Sequence, residues 1–169
     1  MLVLGAPKTY RAQAVATTAE KKTEILAIAS NRKAFYDYEV DEDYEAGIVL
    51  NGTEVKSLRN GKAQLTDAWA EVVRGEAWVH QLYVAEYSHG NVYNHLARRS
   101  RKLLLHRAEI DRLARRVSEK GYTLIPLELY FKNGRAKLKI GVCRGKKAYD
   151  KRASVKARDV RRALERDDE

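Results

Sequence analysis

A chain of 169 residues with 44% hydrophobic side chains has the material for one core with terminal extensions. Lys and Arg number 33 against 23 Asp and Glu, and the net charge of +10 points to a polyanionic partner, nucleic acid or an anionic membrane. No run nears the roughly 20 apolar residues of a spanning helix, MLVLGA is too short for a signal segment, and the lone Cys143 excludes an internal disulfide or a multi-cysteine zinc site, so the chain reads as cytoplasmic, with no membrane partner.

Residues 1–23 are small and polar and read as an N-terminal extension, with a core over 24–150 and a basic tail over 151–169. EILAIAS opens the core as a short strand. Tyr36, Tyr38 and Val40 alternate with polar residues as in a half-buried strand, and Ile48, Val49 and Leu50 continue into a second one. TEVKSLRNG predicts a short helix capped by Thr53 and stopped by Gly61. Two strands around Gly75 form a hairpin, and SHGNVYNHLARRSRK follows as a long polar, basic loop. LLLHRAEIDRLARRVSEKG carries the clearest helical stripe, Ile110, Leu113, Ala114 and Val117, ended by Gly121. Asn133-Gly134 then marks the turn of a last hairpin. Antiparallel hairpins plus one long helix predict a mainly β fold with some α, a small barrel or sandwich.

No enzyme site emerges. GVCRGKKA from Gly141 is one residue short of a phosphate-binding loop and lacks the Ser or Thr after Lys146. His80, His89, His95 and His106 show no metal-ligand spacing. His89 and His95 read as solvated or RNA-contacting loop residues, and His106 as a helix cap. Cys143 reads as a buried, inert thiol. Asp41, Glu42, Asp43 and Glu45 cluster at a strand junction with nothing to give them an acid–base role. No cofactor and no metal is expected.

The strings NRKAFYDYEV, YEAGIVLNGTEVKSLRNGKAQLTDAWA, RKLLLHRAEIDRL, GYTLIPLELYFKNG and GKKAYDKR, in that order, resemble the small protein B (SmpB) family over roughly residues 25–152. Ala97 and Ser100 stand where that family usually has prolines, and the N-terminal extension is longer than usual. The resemblance implies a small antiparallel OB-like β-barrel with flanking helices. It also implies a non-enzymatic adaptor that binds the tRNA-like domain of transfer-messenger RNA (tmRNA) and delivers it, in complex with elongation factor Tu, to stalled ribosomes. There the protein would sit in the small-subunit decoding region, with its tail in the empty mRNA channel. The alternatives are a structural ribosome-associated RNA-binding protein or an RNA-processing enzyme.

On that footing the expected RNA-binding residues are Asn31, Arg32, Lys33, Glu45, Lys56, Arg59, Lys62, Arg98, Arg99, Arg101, Lys102, Leu104, Lys137 and Lys139. Asn31 reads as either a base contact or a turn residue. Glu45 reads as a base or ribose acceptor, or as the orienter of an arginine such as Arg59. Arg98, Arg99, Arg101 and Lys102 would repel one another without an anion, which suggests phosphate contacts. Lys137 and Lys139, two apart on a strand, make a paired cationic rail, with Lys132 on the same hairpin. Along the tail, Ala153, Ala157, Val160 and Leu164 form a thin helical stripe among cations too self-repelling to fold alone. Lys146, Lys147, Tyr149, Asp150, Lys151, Arg152, Lys156, Arg158, Arg161 and Arg162 are the expected ribosome and mRNA-channel contacts.

Overall fold

In the computed structural model, residues 24–88, 90 and 94–147 are described. Their elements run β1 (Ile25–Ser30), α1 (Arg32–Asp37), β2 (Tyr38–Ile48), α2 (Gly52–Arg59), β3 (Ala63–Gln64), β4 (Trp69–Val73), β5 (Glu76–His80), β6 (Tyr83–Val84), β7 (Arg101–Leu104), α3 (Arg107–Ser118), β8 (Tyr122–Lys132) and β9 (Arg135–Gly145).

Every pairing is antiparallel. The main sheet runs β1-β8-β4-β5-β7-β2-β9, and β9 pairs again with β8. Six strands therefore close into a ring, which removes the open edges of a flat sheet. β1 extends the β8 edge beyond β4, and β3 and β6 form a separate two-stranded ladder. The expected small antiparallel barrel with helices around it is what the chain builds.

The interior follows from alternation. Tyr44, Ala46 and Ile48 of β2 face Leu138, Ile140 and Val142 of β9, with Leu129, Phe131, Val79 and Leu103 from the other strands. Leu113 of α3 and Leu58 of α2 join this core from outside the sheet. A bulge between Pro126 and Glu128 shifts the phase of β8, at a place where proline's missing N–H does no harm to the ladder. It turns Ile125 and Leu127 outward, where with Cys143 they form a second cluster under Ala34 of α1. Gly141 is required there: a Cβ on it would lie 2.8 Å from Leu127 Cδ1 and 3.0 Å from Cys143 Sγ. Cys143 is fully buried, as expected, and burial raises its thiol pKa to about 11.

Several expectations need correction. Tyr36 lies in α1, a six-residue helix too short to show a stripe, and Val49 and Leu50 lie beyond β2, a single strand of 11 residues. The N-cap of α2 is Asn51, not Thr53; the Asn51 N–H donates to Glu54 Oε2 at 2.6 Å. Leu103 and Leu104 belong to β7, so α3 starts only after His106, whose N–H donates to Glu109 Oε2 at 2.8 Å. Ala114 of the expected stripe is exposed. The hairpin turns hold: Arg74-Gly75 and Asn133-Gly134 all adopt positive φ, at 51°, 75°, 49° and 75°, as a two-residue type I′ turn requires.

Candidate nucleic-acid interface

Glu45 projects outward from β2, opposite Lys139 of β9. The Tyr130 hydroxyl donates to its Oε2 at 2.7 Å, Lys132 Nζ donates at 2.9 Å, and Lys137 Nζ lies 3.7 Å from Oε1. The Tyr130 hydrogen bond and then that of Lys132 hold the Glu45 carboxyl below its ordinary pKa, while burial and Glu45 push the Tyr130 phenol up. The partners of Glu45 are thus a tyrosine and two lysines rather than Arg59.

Lys137 and Lys139 share the outward face of β9, but they do not form a bare cationic rail. Lys139 lies 3.5 Å from Glu128 and 4.0 Å from Asp43. The face alternates in charge. The acids at the head of β2 are paired too, Asp41 and Glu42 with Arg116 at 3.3 and 3.1 Å. Arg116 also covers the Tyr122 ring, 4.6 Å from its centroid.

The four cations before LLLH each have a carboxylate, which overturns the expectation of mutual repulsion. Arg98 pairs with Asp67 at 3.5 Å, Lys102 with Glu76, and both Arg99 and Arg101 with Glu54. Arg101 is wholly buried and also donates to the carbonyls of Leu82, Ala97 and Arg99. It is a structural ion that fastens the 94–101 segment to α2, not a surface cation. Arg98 remains half exposed, 5.5 Å over the Tyr83 ring.

Asn31 is also inside the fold, 3% exposed. Its Oδ1 accepts the Ala34 N–H, and its Nδ2 donates to Leu65 O at 3.0 Å and Pro126 O at 3.1 Å. Its amide oxygen caps α1 and its amide nitrogen ties that cap to two other segments, so the whole side-chain amide is engaged within the fold. His95 is likewise buried. Its Nε2 donates to Val84 O at 3.1 Å, which leaves Nδ1 to accept from Thr53 Oγ1 at 3.0 Å. His89 lies outside the described residues.

One open cleft of about 610 Å³ brings together Glu45, Lys102, Leu104 and Lys137, with His106 and Glu109 at its far side. Leu104 is 54% exposed despite its place in β7. Gly47 lets it approach β2: a Cβ there would stand 3.2 Å from Leu104 Cβ. An exposed leucine flanked by lysines and a polarised carboxylate offers apolar contact, phosphate contacts and an acceptor for ribose or base donors.

The other expected residues lie elsewhere. Arg32 and Lys33 are exposed on α1; Arg59 and Lys62 are exposed near the end of α2. The Lys56 ammonium lies 5.4 Å from the Tyr87 ring centroid. Lys146 anchors to α1, its N–H donating to Asp37 O and its Nζ to Phe35 O, beside exposed Lys147. Tyr149, Asp150, Lys151, Arg152, Lys156, Arg158, Arg161 and Arg162 lie outside the described residues. Glu54 and Tyr130 escaped the sequence reading. Glu54 had a signal in its place three residues after Asn51, and Tyr130 in its alternation with Glu128 and Lys132. Among the described residues no group of side chains is arranged to hold a metal, and no helix is long and apolar enough to cross a membrane.

The SmpB protein family model matches residues 28–169. An SsrA-binding protein of Treponema denticola is 52% identical over 147 residues, 87% of this chain and 96% of that one. Its counterpart in a Nocardioides species is 56% identical over 82% of this chain and 87% of its own. A chain solved under the words "tmRNA-SmpB: a journey to the center of the bacterial ribosome" is 52% identical, with a TM-score of 0.61 over 80% of this chain and 95% of that chain.

Proposed function

We propose, because this chain belongs to the SmpB protein family, that it is a non-catalytic RNA-binding adaptor. It binds the tRNA-like domain of tmRNA and carries it to stalled ribosomes in the cytoplasm for trans-translation. The observation that carries this reading is the cleft in which Glu45, Lys102, Leu104 and Lys137 meet. Lysines there take phosphates, and the Glu45 carboxylate accepts from ribose or base donors. Arg32, Lys33, Lys56, Arg59, Lys62, Arg98 and the outer lobe of Arg99 extend the cationic contacts, and Lys139 continues them along β9. Elongation factor Tu joins the delivery complex. Tail residues from Tyr149 to Arg162 enter the empty mRNA channel and fold there as a helix, with Lys146 and Lys147 at the junction.

Titration of the tRNA-like RNA with wild type and Glu45→Gln tests the reading. The charge-assisted acceptor is lost while the shape is kept, so affinity should fall roughly tenfold, with the melting temperature little changed. Because its carboxyl is held low, Glu45 stays ionised above its ordinary pKa, and wild-type affinity should show no Glu45 titration between about pH 5.5 and 8. Equal affinity in the two proteins would remove Glu45 from the interface.

A further inference from the structure

Trp69 sits on the outward face of β4 and is 42% exposed, although it is one of only two tryptophans in the chain. His80, directly across on β5, stacks on it with ring centroids 4.5 Å apart and planes at 26°. His80 is itself held, with Ser100 Oγ 2.8 Å from Nδ1 and Glu71 Oε1 2.9 Å from Nε2. Stacking on that ring restrains the indole, which stays 42% exposed. Trp69 borders a cleft of about 270 Å³ between α1 and the turn that leads into β4; His80 does not border it.

The two walls of the cleft are tied together by Asn31, which begins one wall and donates to Leu65 O at the start of the other. Thr66 and Asp67 follow Leu65 and line the cleft, with Lys33 facing them from α1. Asp67 is 61% exposed, and its one ion pair among the described residues is a single Oδ2 contact with Arg98 at 3.5 Å. Lys33 makes no ion pair with a described carboxylate.

We infer that this cleft takes one unpaired guanine of an RNA, stacked on Trp69. Resting on the RNA-binding reading above, the inference adds a second, base-selective site on a different part of the barrel. A restrained, exposed indole favours any base face. Two carboxylates line the cleft, half-buried Asp37 of α1 and exposed Asp67, and Asp67 supplies the choice. It only accepts, and it has two oxygens. Guanine alone presents two adjacent donors, N1–H and the N2 amino group, on one edge. Adenine and cytosine set a donor beside an acceptor, and uracil flanks its single donor with acceptors, which a carboxylate repels. Thr66 adds a hydroxyl of either sense, and Lys33 is free for the attached phosphate.

The test uses the full chain with Trp78→Phe, so that Trp69 alone fluoresces, titrated with GMP, AMP, CMP and UMP. GMP should quench Trp69 saturably and bind at least fivefold tighter than the other three. Asp67→Asn should bring GMP down to the level of AMP while leaving AMP unchanged. In the unsubstituted chain, one of the two indole N–H resonances should move on addition of GMP, a readout that needs no substitution at Trp78. Equal quenching by all four nucleotides, or a GMP preference that survives Asp67→Asn, would overturn the guanine assignment. No response at millimolar nucleotide would overturn the site and leave the exposed Trp69 to a protein partner. If that failure comes with normal binding of the tRNA-like RNA, the adaptor reading stands without it; if both fail, both fall.

Discussion

Arg101 Nε donates to Glu54 Oε1 at 2.8 Å, and neither side chain is reached by solvent. Arg99, 26% exposed, closes the other oxygen of the same carboxylate, with Nη2 2.5 Å from Oε2. One glutamate on α2 thus holds two arginines of the segment entering β7, and removal of Glu54 leaves the buried Arg101 charge without a counter-ion. Glu54→Ala should destabilise the fold by about 3–5 kcal/mol, read as a lower midpoint in urea. Burial alone would raise the Glu54 carboxyl, but the hydrogen bonds from Arg99 and the Asn51 N–H, with the charge of Arg101, hold it below its ordinary value of 4.5. A carboxyl depressed in the folded state contributes stability above its unfolded-state pKa and loses it as pH falls through the folded value. Wild-type stability should therefore decline below about pH 4.5, and Glu54→Gln should lack that part of the decline.

Arg98 and Arg101 are three residues apart and should behave as opposites. Arg98→Ala removes an exposed cation and should reduce the salt dependence of RNA binding by roughly one unit of slope, with an unchanged melting temperature. Arg101→Ala should lower the melting temperature sharply, and its loss of binding should follow its loss of fold. Titrations across salt concentrations beside thermal melts separate the two. An unchanged slope in Arg98→Ala would take Arg98 off the RNA surface.

The contrast shows how far the sequence could be read. Hairpins were legible because their turns carry the residues that positive φ demands, Gly75 and Asn133-Gly134. α3 was legible from Ile110, Leu113 and Val117. Neutralisation of the basic loop was not, because its carboxylates come from distant positions: Glu54 is 47 residues before Arg101, and Glu76 is 26 before Lys102. A local count of charge cannot see partners that only the closed barrel brings together. The short α1 hid for a different reason. Six residues make too few turns for a stripe, and its cap, Asn31, is satisfied by carbonyls from two other segments.

Truncation after Asp150 removes the tail but none of the described core. It should leave the melting temperature and the affinity for free tRNA-like RNA nearly unchanged, and abolish peptide tagging on ribosomes stalled at an mRNA end. Val160→Pro keeps the charge but blocks a helix at a cost of about 3 kcal/mol, and should mimic the truncation. Full tagging by the truncated protein would show that the tail has no part in recognising the empty channel.

An adaptor for one RNA should leave the cell bound to that RNA. Sequencing the RNA that co-purifies with the full chain from its own cell tests it most directly. One dominant species is expected, a transfer-messenger RNA, whose recovery falls with Glu45→Gln. Recovery of ribosomal RNA alone, equal in wild type and variant, would contradict it.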